Sequence, residues 1–298
     1  MSDFDNYSGN GESETRSGSN YSGVEDTNSA NRMNDPLSDS DGGFSEEGKG
    51  SQKNSKVRSF GKTVISLLTT VLVVFGGRVV GRSVGNGCVS SIREGKDIAD
   101  IEKFIAETEN YKPGVCTDEK YVSEHFGIVF SADEDWKMLS ESERNAYNAN
   151  VRQSSISSVM ESLKGKKISQ SLKDKLEEAI YSETEMGAAY MVDGEAAGQV
   201  MITVFRAYGA DESTAEDMME SLESELSQMG KVSRRTRTLA GEKYEAIEVD
   251  VVIGEGLIAS SETLLRLEDG MYCMINCSTA KGMEDELMKS FEEHISAL

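Results

Sequence analysis

Three hydrophobicity patterns divide the chain of 298 residues. Residues 1–56 show no apolar periodicity. Ser, Gly, Asn, Asp and Glu dominate there, and Phe4, Tyr7, Tyr21 and Phe44 are the aromatics. Such a segment buries too little apolar surface to offset its chain entropy, so a disordered acidic tail is expected over 1–58. From Thr63 to Gly81, TVISLLTTVLVVFGGRVVG, the pattern becomes almost continuously apolar. Beyond Asp97 it turns periodic. Ile98, Ile101, Phe104 and Ile105 predict a short stalk helix, and Pro113 and Gly114 in YKPGVC (111–116) break it.

The remaining chain alternates strand-like and helix-like runs. A short strand is expected at Phe126–Phe130, with Trp136 soon after. Over 141–181, the stripes Ile156, Val159, Met160, Leu163 and Leu172, Leu176, Ile180 predict two helices parted near Gly165. Residues 187–209 predict a hairpin turning on Asp193-Gly194. Residues 213–229 predict a helix with the capping spacing Ser213…Glu216 and an apolar face of Met218, Met219, Leu222, Leu226 and Met229, stopped by Gly230. Strands are expected at 231–239, 243–253, 257–267 and 271–277, punctuated by Gly241, Gly254, Gly256 and Asp269-Gly270, before a closing helix at 281–296. A meander with helices before, within and after it is an α+β domain: one antiparallel sheet with helices packed on it.

The apolar run bears on location. Its charge-free part, Thr63 to Gly77, is 15 residues, and extension to Gly81 takes in Arg78. A bilayer core needs about 20, and Arg78 lies near one end, where its stem reaches the interface. A signal peptide would follow a short n-region and end in an A-x-A-like site, whereas 62 residues precede this run and Gly and Arg follow it. One transmembrane helix over 59–84 is therefore expected, in contact with membrane lipid. Lys49, Lys53, Lys56, Arg58 and Lys62 precede it, against Arg78, Arg82, Arg93 and Lys96 after it. That bias of five to four points to a cytoplasmic N-terminus and an extracytoplasmic C-terminal domain at the cell membrane. Gly77, Gly81 and Gly85 recur every fourth residue, a pattern that allows helix packing in lipid and hence a homodimer. The expected organisation is a tail (1–58), a spanning helix (59–84), a stalk or linker with a short helix (85–124) and the α+β domain (125–298).

Charge narrows the partners. The net charge is −22; residues 85–298 carry 42 acidic and 22 basic residues, while 57–84 hold four basic residues and no acid. A domain this negative repels phosphate backbones, so nucleic acid is not an expected partner. KVSRRTRTLAG (231–241) is the exception. Lys231, Arg234, Arg235 and Arg237 form a basic strip suited to an anionic ligand, a wall polymer or an acidic protein segment, or to this domain's own acidic helices. On a strand, Arg235 and Arg237 share a face with Lys231, and Arg234 points the other way.

No enzyme signature emerges. The chain has no GxSxG, Walker A or CxxC motif, and His125 and His294 are its only histidines, so neither catalytic residues, a metal site nor a cofactor is expected. Asp133, Glu134 and Asp135 lack calcium-loop spacing and read as a solvated turn. Cys273 and Cys277, four apart on one strand, stand roughly 13 Å apart, beyond disulfide reach. They read as small buried hydrophobes, with pairing to Cys88 or Cys116 left open.

The run Gly127-Ile128-Val129-Phe130 with Trp136 nearby, then a hairpin, the 213–229 helix, LAGEKYEAIEV (239–249), a strand pair and a terminal helix resembles the PsbP-like fold over about 125–298. That fold serves a photosystem II extrinsic subunit, a Ran-binding import factor and bacterial envelope proteins. The resemblance implies an α/β/α sandwich that binds or assembles rather than catalyses. The expected function is a membrane-anchored extracytoplasmic binding or assembly module engaging an envelope protein or polymer. The alternatives are a sensor coupled to its cytoplasmic tail by dimerisation, or an envelope hydrolase with an unrecognised site.

Overall fold

Tight turns set the register of the main sheet. The computed structural model describes residues 69, 77–79, 81–82, 111–165, 169–206, 212–253 and 257–298, all in one structural unit. In chain order the elements are β1 (Val115–Cys116), β2 (Lys120–Ser123), β3 (Ile128–Ser131), β4 (Trp136–Met138), α1 (Glu141–Ser162), α2 (Gln170–Ala179), β5 (Ser182–Val192) and β6 (Glu195–Arg206). There follow α3 (Glu212–Leu226), β7 (Gly230–Leu239), β8 (Glu242–Ile253), β9 (Leu257–Glu268), β10 (Met271–Ala280), α4 (Glu284–His294) and β11 (Ile295–Ala297). At Asp193-Gly194, Ala240-Gly241 and Asp269-Gly270 both turn residues have positive φ. That backbone matches the right-handed twist of the strands it joins.

Seven strands pair antiparallel in the order β4-β5-β6-β10-β9-β8-β7, and a second sheet has the order β1-β2-β3-β11. Alternation along β6 and β10 divides the core. Met201, Phe205, Tyr272 and Met274 face a cluster with Val151, Val159, Met218, Leu222 and Leu226 of α1 and α3. Val200, Ile202, Cys273, Ile275 and Cys277 face a cluster with Leu287 and Phe291 of α4 and Phe130 of the small sheet. The domain is α+β, with helices on one face and the small sheet plus α4 on the other. Trp136 ties the second face together: its indole Nε1 donates to Ser290 Oγ at 3.0 Å and its ring meets Phe130 edge-on at 5.3 Å.

Several boundaries differ from expectation. Residues 115–123, assigned to the linker, form β1 and β2, and Tyr121 is fully buried, so the domain begins before residue 125. The closing helix ends at His294 because Ile295–Ala297 instead pair with β3. Helix α3 begins at Glu212, which puts Ser213 inside the helix. A capping box does start α1: Ser140 N donates to Glu143 Oε2 at 2.8 Å and Ser140 Oγ accepts from Glu143 N. No helix among the described residues is long and apolar enough to cross a membrane. The tail, the stalk helix, Cys88, Gly85 and most of the expected span lie outside the described residues.

Candidate functional site

The basic strip lies on β7, the last strand of the main sheet, and its cations meet carboxylates of neighbouring elements. Glu248 on β8 and Glu262 on β9 stand directly opposite each other, a like-charge pair that destabilises a sheet unless bridged. Arg235 supplies the bridge. Its Nε and Nη2 donate to the two Glu262 oxygens, both at 2.7 Å, and its Nη1 lies 3.7 Å from Glu248. Arg237 Nε adds a 2.6 Å bond to Glu262, and its Nη1 reaches Glu292 of α4 at 3.0 Å. Arg234, on the opposite face, donates to Glu216 of α3 at 2.9 Å. Lys231 is exposed on the face of Arg235.

The electrostatics follow from burial. Glu262 is only 5% exposed. Burial alone would push its carboxyl up; the bonds from Arg235 and Arg237 outweigh that and hold it below the usual range. The Glu262 hydrogen bond raises Arg235 in turn. Below the cluster, a cavity lined by Glu248, Ser261, Glu262, Cys277, Leu287 and Met288 has about 10 Å³, room for a single water. What β7 offers a partner is therefore its open edge: ten residues, exposed at Lys231, Ser233, Arg235, Thr236 and Thr238, with no strand among the described residues on its outer side.

A second polar centre lies on β5, where no sequence motif marks it. The pairing of β5 with β6 shifts between Thr184 and Met186, so Glu185 is the extra residue of a bulge. A bulge re-aims its side chain, and this one is 7% exposed among tyrosines. Glu185 Oε1 accepts from Tyr111 Oη at 2.7 Å and Tyr181 Oη at 2.8 Å; Oε2 accepts from Tyr121 Oη at 2.7 Å and Gly114 N at 2.9 Å. Burial, then the Glu185 charge, holds all three tyrosine hydroxyls well above their usual range. Three of the four donors come from residues 111–121, so the carboxylate pins that arm to the main sheet.

Gly77 and Gly81 lie against α1. A Cβ at Gly77 would sit 3.0 Å from Ser155 Oγ, and one at Gly81 would sit 2.4 Å from the Ser155 carbonyl oxygen and 2.9 Å from Ser158 Cβ. Cys273 and Cys277 are buried free thiols on one face of β10, both raised by burial, and Cys116 is a half-buried free thiol. His294 Nε2 lies 2.9 Å from Asp133 Oδ2, and its Nδ1 lies 2.7 Å from the Ser290 carbonyl. No cluster of three or more metal-ligating side chains occurs among the described residues.

No family model and no curated protein matches the chain. Among solved structures it is similar to LpqN of Mycobacterium tuberculosis, a protein involved in cell envelope biogenesis, at 10% identity and a TM-score of 0.33 over 63% of this chain and 86% of that one. It is similar to a Bacteroides thetaiotaomicron protein at 11% identity and a TM-score of 0.34, over 61% of this chain and about half, 49%, of that one. CyanoP, the PsbP of Synechocystis sp. PCC 6803, matches at 11% identity and a TM-score of 0.31 over 63% of this chain and 98% of that one. The antiparallel α+β architecture of this chain rests on its own strand pairing and helix packing.

Proposed function

We propose that this chain is a membrane-anchored binding or assembly module whose folded domain works outside the cytoplasm and receives an extended segment of an envelope protein along β7. The observation that carries this reading is the open edge of β7. A ten-residue edge strand presents unpaired backbone groups that a partner strand can complete. The arginines flanking that edge are fixed by Glu262, Glu292 and Glu216, which leaves the exposed part of Arg235 and Lys231 to select an acidic segment. The domain uses no catalytic residue in this role.

Two measurements test the proposal. A photo-crosslinking side chain at Thr236 or Thr238 in cells should give a discrete adduct that the same probe at Lys289, on exposed α4, does not give; matching patterns from both faces refute the edge. A membrane-impermeant maleimide should label Cys116 on intact cells in a chain carrying Cys88→Ser. Labelling only after lysis overturns the orientation.

A further inference from the structure

The described residues of the apolar segment bear on how the anchor is kept. Gly77 and Gly81 are one helical turn apart and present a surface without side chains to α1. Opposite them Val151, Ser155 and Ser158 form one face of that helix, each at most 5% exposed. A Cβ built at Gly81 would stand 2.4 Å from the Ser155 carbonyl oxygen and 2.9 Å from Ser158 Cβ, so only glycine permits the approach there; one at Gly77 would stand 3.0 Å from Ser155 Oγ and from the Val151 carbonyl oxygen, a tight fit that small adjustments accommodate. Val79, between the glycines, is 2% exposed and belongs to the core cluster of the helical face, together with Met201, Phe205 and Met274 of the sheet. Arg82 forms an ion pair with Glu225 of α3, across the furrow from α1. Arg78 and Arg82 also line surface grooves on both sides, one with Asp217 and Glu220 of α3, the other with Glu161 of α1. Thr69, earlier in the segment, is fully buried.

We propose that the furrow between α1 and α3 is a receptor for the chain's own Gly77–Arg82 turn, so that docking in cis and insertion into a bilayer compete for the same residues. The fit has three parts: a close-packed glycine–serine contact, one apolar knob at Val79, and basic residues at the end of the turn facing acidic helix walls. Docked, the chain has its glycine face covered and stays monomeric. Released, the segment is free to enter lipid. The proposal rests on the anchor reading above.

The built Gly77 Cβ lies 3.0 Å from Ser155 Oγ, about the separation a carbon and the far sulfur have across a disulfide. The test is a full-length chain with Gly77→Cys and Ser155→Cys in a Cys88→Ser, Cys116→Ser background, oxidised before and after exposure to vesicles of mixed zwitterionic and anionic phospholipid. The expected result is an intramolecular disulfide in the monomer, loss of alkaline-resistant membrane association in the oxidised form, and its recovery on reduction. Dimers joined through position 77, or no disulfide in a chain with native circular dichroism, overturn the latch. Retention of the locked chain in the membrane overturns the competition. Arg82→Glu should lower the crosslinking yield, and Arg82→Glu with Glu225→Arg should restore it; an unchanged yield in both removes the ion pair from the latch. A failed crosslink leaves the anchor intact, whereas a reduced chain that never associates with vesicles overturns the anchor itself.

Discussion

Glu185 offers the sharpest test of how the domain is held together. It accepts four hydrogen bonds, and a bond to a charged group contributes about 1.5–3 kcal/mol. These do not simply add, because Tyr111 and Tyr181 are half-buried and turn to water once the carboxylate is gone. Tyr121 is fully buried and its hydroxyl has nowhere to turn. Glu185→Ala is therefore expected to destabilise by about 3–5 kcal/mol, a large part of the roughly 5–15 kcal/mol that holds a typical domain. Glu185→Gln can keep its oxygen toward Gly114 N and Tyr121 while its NH2 donates to the Tyr111 and Tyr181 hydroxyls, but it loses the charge-assisted bonds and should cost about 1–3 kcal/mol. Urea unfolding read by tryptophan fluorescence gives both numbers, because Trp136 is the only tryptophan. Trypsin should also cut after Lys120 sooner in the alanine variant, since the carboxylate pins that arm. The same cluster sets an alkaline limit. An unfolded chain releases tyrosine protons near pH 10, while the native chain keeps them. Stability should therefore fall as pH rises past that point, and less steeply in Glu185→Ala. A loss below about 0.5 kcal/mol in Glu185→Ala, at the noise level of surface substitutions, refutes the argument.

Three further outcomes follow from other sites. Glu262→Ala leaves Arg235 and Arg237 facing each other without their shared carboxylate; since both arginines are partly exposed, a screened loss of about 1–3 kcal/mol is expected in urea unfolding, and an unchanged midpoint means Glu262 does not organise the strip. At His294, partial burial works against the imidazolium, but the bonds to the Ser290 carbonyl and Asp133 outweigh it and raise the group, while the bond from His294 lowers Asp133. The His294 contribution is full below about pH 6.5 and is lost as pH climbs through the raised native value; that of Asp133 is present above about pH 3.9 and is lost on acidification, so the pair stabilises between those limits by under about 1 kcal/mol. His294→Gln should flatten the difference in urea midpoint between pH 5 and pH 8, and an unaltered difference assigns it elsewhere. Ala240 holds a φ of 49°, where an L side chain costs about 1–2 kcal/mol and Asn is better tolerated; Ala240→Asn should raise the thermal midpoint by a few degrees, and a lower midpoint means that the alanine methyl's packing outweighs the strain.

The parts of the fold legible in the sequence are those decided locally. Asp193-Gly194 and Asp269-Gly270 specify turns through backbone conformation alone, and the strands beside them lie within a few residues of their expected bounds. The alternation that puts Arg234 opposite Arg235 and Arg237 follows from the strand period, and all three side chains leave β7 on those faces. Long-range partners were not legible. Strands β1, β2 and β11 are two to four residues long and gain meaning only when the two ends of the domain meet on β3. Glu185 is one acid among many, and its role depends on a bulge and on tyrosines 64 and 74 positions away. The glycine pattern reads the same whether its partner is a second helix in lipid or α1, because both supply close packing.

The strand order β6-β10-β9 also governs how quickly the domain forms. The meander β7 to β10 pairs neighbours through short turns and can zip from them. Strand β10 must then find β6, pairing Met271 with Arg206 and Thr279 with Gly198, 65 and 81 positions apart along the chain. Until that seam closes, the apolar faces of β6 and β10 stand open to water and to other chains. Closing the seam is therefore the step expected to limit folding and to leave a nascent chain most exposed to aggregation. Substitutions there, such as Ile275→Val, should slow refolding more than they speed unfolding.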